Sequence, residues 1–367
     1  MNPLSFQSAF CIIHALSLVF SCPGGYNHHR GADTGLHICT QKGCTMNNTL
    51  LATSQRMIEL RDILKKVFRF ENSYIYPVCA AALLQSEEPL SEDELTRARD
   101  LVRQSTGIFS NFRSMMLMPT ACYLAAHGND TAYLHEALDL YERLKKTFRG
   151  SEYTALLSLV LPDLEDADAL IARGHELYRQ MNKAHPLLTG SEDKPAAVLM
   201  AASTKSDEDL MRDMEDAYRR LKSSISFADS NSIQTLAQML AGGDTFAAVD
   251  RLLALLDQLD HAGRKYGKSY ELSALGVLAL HGPEPQQIVE DMLEADAFLR
   301  EQKGYGFFGY SARTRLMHAA MLVGADLKHT QGPYVMTSTI SMVIAMNAAM
   351  CAIAASSAAS SSSSSSH

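Results

Sequence analysis

The chain contains no tryptophan, and aromatic residues of every kind make up only 7% of it. That excludes the tetratricopeptide repeat, whose signature needs a Trp at a set place, and takes from a carbohydrate enzyme its usual stacking platform. No segment keeps up the two-residue alternation of a half-buried strand, which rules against a sheet protein. Lys and Arg number 33 against 41 Asp and Glu, a formal net charge of −8, and no basic stripe shows along the sequence. A nucleic-acid partner is therefore not expected.

Metal and redox signatures are missing too. Cys22, His28, His29, His37, Cys39 and Cys44 are ligand types, but they contain no C-x-x-C pair and match no finger spacing, so no metal is expected. His135-Glu136 and His175-Glu176 are each followed, four places after the His, by Asp139 and Arg179, so H-E-x-x-H is absent. Cys79, Cys122 and Cys351 lie in apolar helical stretches. They read as small buried hydrophobes of a reducing compartment, hence a cytoplasmic protein.

What the chain does have is helical period. Within 244–282, Phe246, Val249, Leu252, Leu253, Leu256 and Leu259 recur at i, i+3, i+4 between charged residues, the mark of an amphipathic helix with one wet face. The stretch 272–280 that follows is short and apolar all round, so it must be covered on several sides. One outer and one inner helix make a hairpin, and the pattern returns about every forty residues, with stops at Gly128, Pro162, Ser203, Gly242, Gly282 and Gly324. Ser91 and Glu94 form a capping box at one outer-helix start.

The expected fold is all-α: about seven antiparallel hairpins stacked as an α-solenoid or superhelix, with a closed α/α toroid as the alternative. A hairpin-repeat domain is expected over 46–330, a capping helix over 331–355 and a disordered Ser-rich tail over 356–367. Residues 1–45 read as a leader foreign to the fold, either a mis-assigned start or, with weaker support, a signal peptide. The uncharged stretch 335–355 is long enough for a bilayer but rich in Ala, Ser and Thr, so it is assigned to the cap and no membrane partner is expected.

The motifs FENSYIYPVCA at 70–80 and ARTRLMHAAMLV at 312–323, followed by an Ala/Met helix fading into Ser, resemble an uncharacterised bacterial family known only as a domain of unknown function. The likeness spans 46–359. It implies no activity, cofactor or catalytic residue.

Gly304-Tyr305-Gly306-Phe307-Phe308-Gly309 fits G-x-G-x-x-G, but a charged helix rather than a strand precedes it. It reads as a glycine-hinged connector, and no cofactor is expected. Polar residues in otherwise buried helices are the candidate ligand or partner site: Tyr74, Tyr76, Tyr310, Arg313, Arg315 and His318. Their simpler role is structural, as bridges to acids of neighbouring hairpins. No catalytic residue is named. The function expected is a scaffold binding a protein or peptide along its concave surface; the alternative is a toroid enzyme with a carboxylate-lined central pocket.

Overall fold

The structure, a computed structural model, describes residues 46–331 apart from positions 70, 85, 87–89, 281–282 and 307–308. The expected leader, the capping helix beyond Gln331 and the Ser-rich tail lie outside the described residues, as do Gly282, Phe307, Phe308 and Cys351.

Fourteen α-helices occur among the described residues, together with two short 3-10 turns and no strand. They pair as α1 Asn48–Val67 with α2 Ile75–Leu83, α3 Glu92–Ser105 with α4 Leu117–Ala126, α5 Thr131–Phe148 with α6 Glu152–Val160, and α7 Ala167–Ala184 with α8 Asp193–Met200. The remaining pairs are α9 Asp207–Ser224 with α10 Ser230–Ala241, α11 Thr245–His261 with α12 Leu272–Leu280, and α13 Pro285–Arg300 with α14 Ala312–Gln331. Odd-numbered helices are outer and bury one stripe each. Even-numbered helices are inner, and every residue of α2 is buried.

Local chemistry sets the ends. The Ser91 and Glu94 side chains satisfy each other's backbone amides at the start of α3, a device worth about 1 kcal/mol. Asp130, Asp166 and Asp244 cap α5, α7 and α11 through backbone N–H groups. Gly174 lets α7 lie against α8, since a Cβ there would come within 2.6 Å of the Val198 backbone.

Some bounds differ from expectation. α1 begins at Asn48, just inside the expected domain start, because the Asn47 side chain caps it by accepting from the Thr49 amide. α14 runs straight through Gly324. Phe246 is 56% exposed: the stripe α11 buries runs through Thr245, Val249, Leu252, Leu255 and Leu259, about one residue round from the expected one.

Each inner helix packs on the next, α2 on α4 and so on through α12 on α14. Arg–acid links tie successive outer helices, Arg143 to Asp168, Arg173 to Asp207 and Arg220 to Asp250. The stacked hairpins of the expectation are all present, and the stack then closes. α14 packs on α2, and both α13 and α14 pack on α1. At one end of this seam the Tyr310 hydroxyl donates to the Ser73 carbonyl at 2.5 Å; at the other, Thr49 and Thr53 donate to Asp326 at 3.3 and 3.2 Å. The described hairpins therefore form a ring of seven, the toroid alternative, whose middle is filled by the packed inner helices.

Candidate functional site

The seam gathers part of the expected site. The connector 301–311 turns tightly because Gly304 takes φ +93° and the Tyr310 amide donates back to its carbonyl at 3.1 Å. A Cβ on Gly309 would stand 1.9 Å from that same oxygen. Only glycine fits there, and the turn delivers Tyr305 and Tyr310 to one cluster. The Tyr305 hydroxyl is hydrogen-bonded to His318 Nδ1 at 2.9 Å, and the Tyr310 ring lies 4.9 Å from Tyr305, 5.1 Å from His318 and 5.9 Å from Tyr74. Arg61 of α1 closes the group: it is 1% exposed, its guanidinium 5.8 Å from the Tyr305 ring, donating to the Lys303 carbonyl and to Asp62.

Burial, reinforced by the Arg61 charge, lowers the His318 pKa to about 3, so the imidazole is neutral. Its Nε2 has no hydrogen-bond partner among the described residues. Burial also pushes the Tyr305 and Tyr310 phenols well up. The cluster is a neutral hydrogen-bonding aromatic nest on one buried cation.

The other expected residues are placed differently. Tyr76 donates its hydroxyl to the Phe68 carbonyl at 2.5 Å, fastening its own hairpin. Arg315 grips Asp296 with Nε at 2.6 Å, a pairing to the outer helix of its own hairpin rather than to a neighbour. Arg313 is exposed in the first turn of α14, apart from the nest. So Tyr74, Tyr310 and His318 converge, and Tyr76, Arg313 and Arg315 do not join them.

Sequence reasoning missed Arg61 and Tyr305. A signal existed for the first, since Arg61 continues the 57, 60, 64 stripe where a cation is out of place. It also missed a cluster at the far ends of α4 and α6. There His127 Nε2 meets Asp163 at 3.2 Å, His127 Nδ1 meets the Tyr123 carbonyl at 2.8 Å, and the Tyr123 hydroxyl donates to Asp163 at 2.6 Å. Both ring nitrogens face acceptors, which calls for the imidazolium. Burial is the largest single influence and opposes that charge, but the Asp163 hydrogen bond, the Tyr123 carbonyl and the charges of Asp163 and Asp130 together outweigh it and raise the His127 pKa. The pair also caps the C-terminus of α4, where a cation is favoured. A third cluster joins α8 to α10. Asp193, 2% exposed, accepts from Gly190 N–H at 2.7 Å and from the Gln238 amide at 2.8 Å, and burial raises its pKa to about 6 despite those bonds.

No group of His, Cys, Asp and Glu among the described residues is arranged to hold a metal ion. Cys79 and Cys122 are free and buried. No helix among the described residues is long and apolar enough to cross a membrane.

The surface is sorted by sign. Outer helices all run the same way round the ring, so the acidic first turns that α3, α7 and α9 carry, with Glu92, Asp93, Glu94, Asp168, Asp207, Glu208 and Asp209, share one rim. The basic last turns of the outer helices, such as Lys65, Lys66, Lys145, Lys146, Lys183 and Lys222, share the other. No stripe is visible in sequence because the ring, not the chain, assembles it. The basic rim also carries the outer-to-inner turns, and these expose Ile108, Phe109, Leu187 and Phe227 at 76, 96, 96 and 100%.

A family model described as protein of unknown function (DUF4003) matches residues 62–349. The chain belongs to the DUF4003 family. The family expected from the two motifs is thus of the right kind, uncharacterised, and it brings no role for any residue to this member. No curated protein and no solved structure matches this DUF4003 chain.

Proposed function

We propose that the chain is a binding scaffold working through the basic rim of a closed helical ring. The carrying observation is the set of bare apolar side chains, Ile108, Phe109, Leu187 and Phe227, standing in the turns of that rim among exposed Lys and Arg. A soluble surface tolerates single exposed apolar residues, but four of the largest in three turns of one rim favour contact with a partner. Closure removes the concave groove in which a protein or peptide was expected to lie, and shifts the contact to the turns. Charge makes the partner anionic.

The enzyme alternative draws support from the ring but not from its middle. Asp193, Asp326 and Asp296 are buried, and each is held by hydrogen bonds to neighbouring helices or turns. Among the described residues the His127–Asp163 pair, like His185 with Glu215 at 2.7 Å, has partners suited to proton transfer, and the contacts of His127 equally suit a helix cap.

Retention of the full chain on immobilised poly-glutamate tests the scaffold reading. It should be strong at low salt, fall with ionic strength and drop in Lys145→Glu/Lys146→Glu. Equal retention of that variant would remove the rim from the binding.

A further inference from the structure

We infer that the basic rim is a docking face for an anionic lipid bilayer, on which the ring lies flat with Phe109, Leu187 and Phe227 dipped between headgroups. The inference rests on the rim being the contact surface, and it names what that surface meets.

Placement is the first argument. The exposed apolar residues belong to the turns α3–α4, α7–α8 and α9–α10, which are hairpins two, four and five of the seven. They form separate prongs round a rim rather than one compact patch. A plane touches all three turns at once, whereas a protein partner of ordinary size would cover one or two.

The turns are also built to hold these side chains out. Ser110 N–H donates to the Gly107 carbonyl at 3.0 Å around Phe109, and Leu188 and Thr189 N–H donate to the His185 carbonyl at 3.1 and 3.0 Å around Leu187. Beside Phe227, Ile225 and Ala228 are buried anchors, Lys222 Nζ donates to the Ala228 carbonyl at 2.9 Å, and Lys268 Nζ donates to the Ser226 carbonyl at 2.8 Å. Phe227 itself has φ +62° and is fully exposed. A bulky residue in the left-handed region, with its ring touching nothing, gains the fold nothing that Gly or Asn would not give better.

Charge is the third argument. Exposed Lys145, Lys146, Arg149, Lys183, Lys265 and Lys268 stand on this rim. Glu71, Glu152, Glu192, Asp229, Asp260 and Glu301 are there too, fewer than the Lys and Arg once Lys65, Lys66 and Lys222 are added. The acidic rim is the length of an outer helix away, about 27 Å for 18 residues, well beyond the Debye length of about 8 Å. The net charge of −8 therefore does not cancel the local attraction. Interleaved basic and large apolar side chains are the chemistry of interfacial binding.

Co-sedimentation of the full chain with vesicles tests the inference. Binding is expected to equimolar phosphatidylcholine and phosphatidylglycerol, to be absent with phosphatidylcholine alone, and to weaken with salt. Phe109→Ser/Phe227→Ser should lower the partition by at least about tenfold with an unchanged thermal melt, and Phe246→Ser, on the opposite rim, should leave it alone. Equal binding to neutral vesicles, or indifference to the prong variants, would overturn it. Retention on poly-glutamate without vesicle binding would sink the bilayer and keep the rim, and loss of both would sink the two together. Prong-dependent self-association without vesicles would name a second copy of the chain as the partner instead.

Discussion

His318 and Asp193 are both buried, and as acid is added they drive stability in opposite directions. The His318 pKa is lowered to about 3 by burial and the Arg61 charge, so its contribution is complete above its unfolded value of about 6.5 and drains away as pH falls toward 3. The Asp193 pKa is raised to about 6 by burial, so its contribution is complete below the unfolded value of about 3.9 and is lost as pH rises through 6. Urea titrations should show that Asp193→Asn removes a loss of roughly 3 kcal/mol between about pH 4 and pH 7. His318→Asn should flatten the decline on the acid side. Parallel curves for wild type and variants would refute both assignments. At Gly309 the issue is space: Gly309→Ala should cost about 2 to 4 kcal/mol in a thermal melt, because its Cβ meets backbone that cannot step aside.

Among the elements the seam is where the fold is most exposed to a single change. Arg61 lies in the core stripe of α1 and holds the 301–311 turn by the Lys303 carbonyl, so Arg61→Ala should cost about 3 kcal/mol by leaving that oxygen and a void behind. Tyr310→Phe, which loses only the bond to Ser73, should cost about 1 kcal/mol. Hydrogen exchange should rise first in 68–74 and 301–311 in both variants; uniform change around the ring would place the weak point elsewhere.

The outer and inner helices were legible because period and capping are local: the Ser91 box and the apolar run at 272–280 each state their own structure. Closure was not legible, since it depends on the small angle each hairpin adds, summed seven times, and no residue reports that sum. The site shows the same division. Tyr310 and His318 stood out as polar groups in apolar helices, whereas His127 and Asp163 meet only across two helix ends, with nothing in either neighbourhood to announce the other.

At the scale of the whole molecule, a ring answers damage differently from an open array. Deleting hairpin α7–α8 from a solenoid would join two surviving stacks, but here it would leave a gap that six hairpins cannot close without changing every packing angle. The deletion should therefore give an expanded, non-cooperative melt. Conversely, Thr49 of α1 and Asp326 of α14 are hydrogen-bonded at 3.3 Å, so the ends of the described ring are neighbours. A permuted chain, opened between Gly242 and Gly243 and joined from 331 to 46 by a flexible linker, should melt cooperatively within a few degrees of the original, about 1 kcal/mol. A collapsed melt for that permutant would count against the closed ring.

The parallel run of the outer helices has one more outcome. Acids and bases sorted to opposite poles give the protein a large dipole moment, and a dipole rotates in a field before it makes contact. Near any strongly charged body the molecule would arrive already aligned, so the fraction of collisions that succeed, and not only the strength of the final embrace, is written into the direction in which seven helices point.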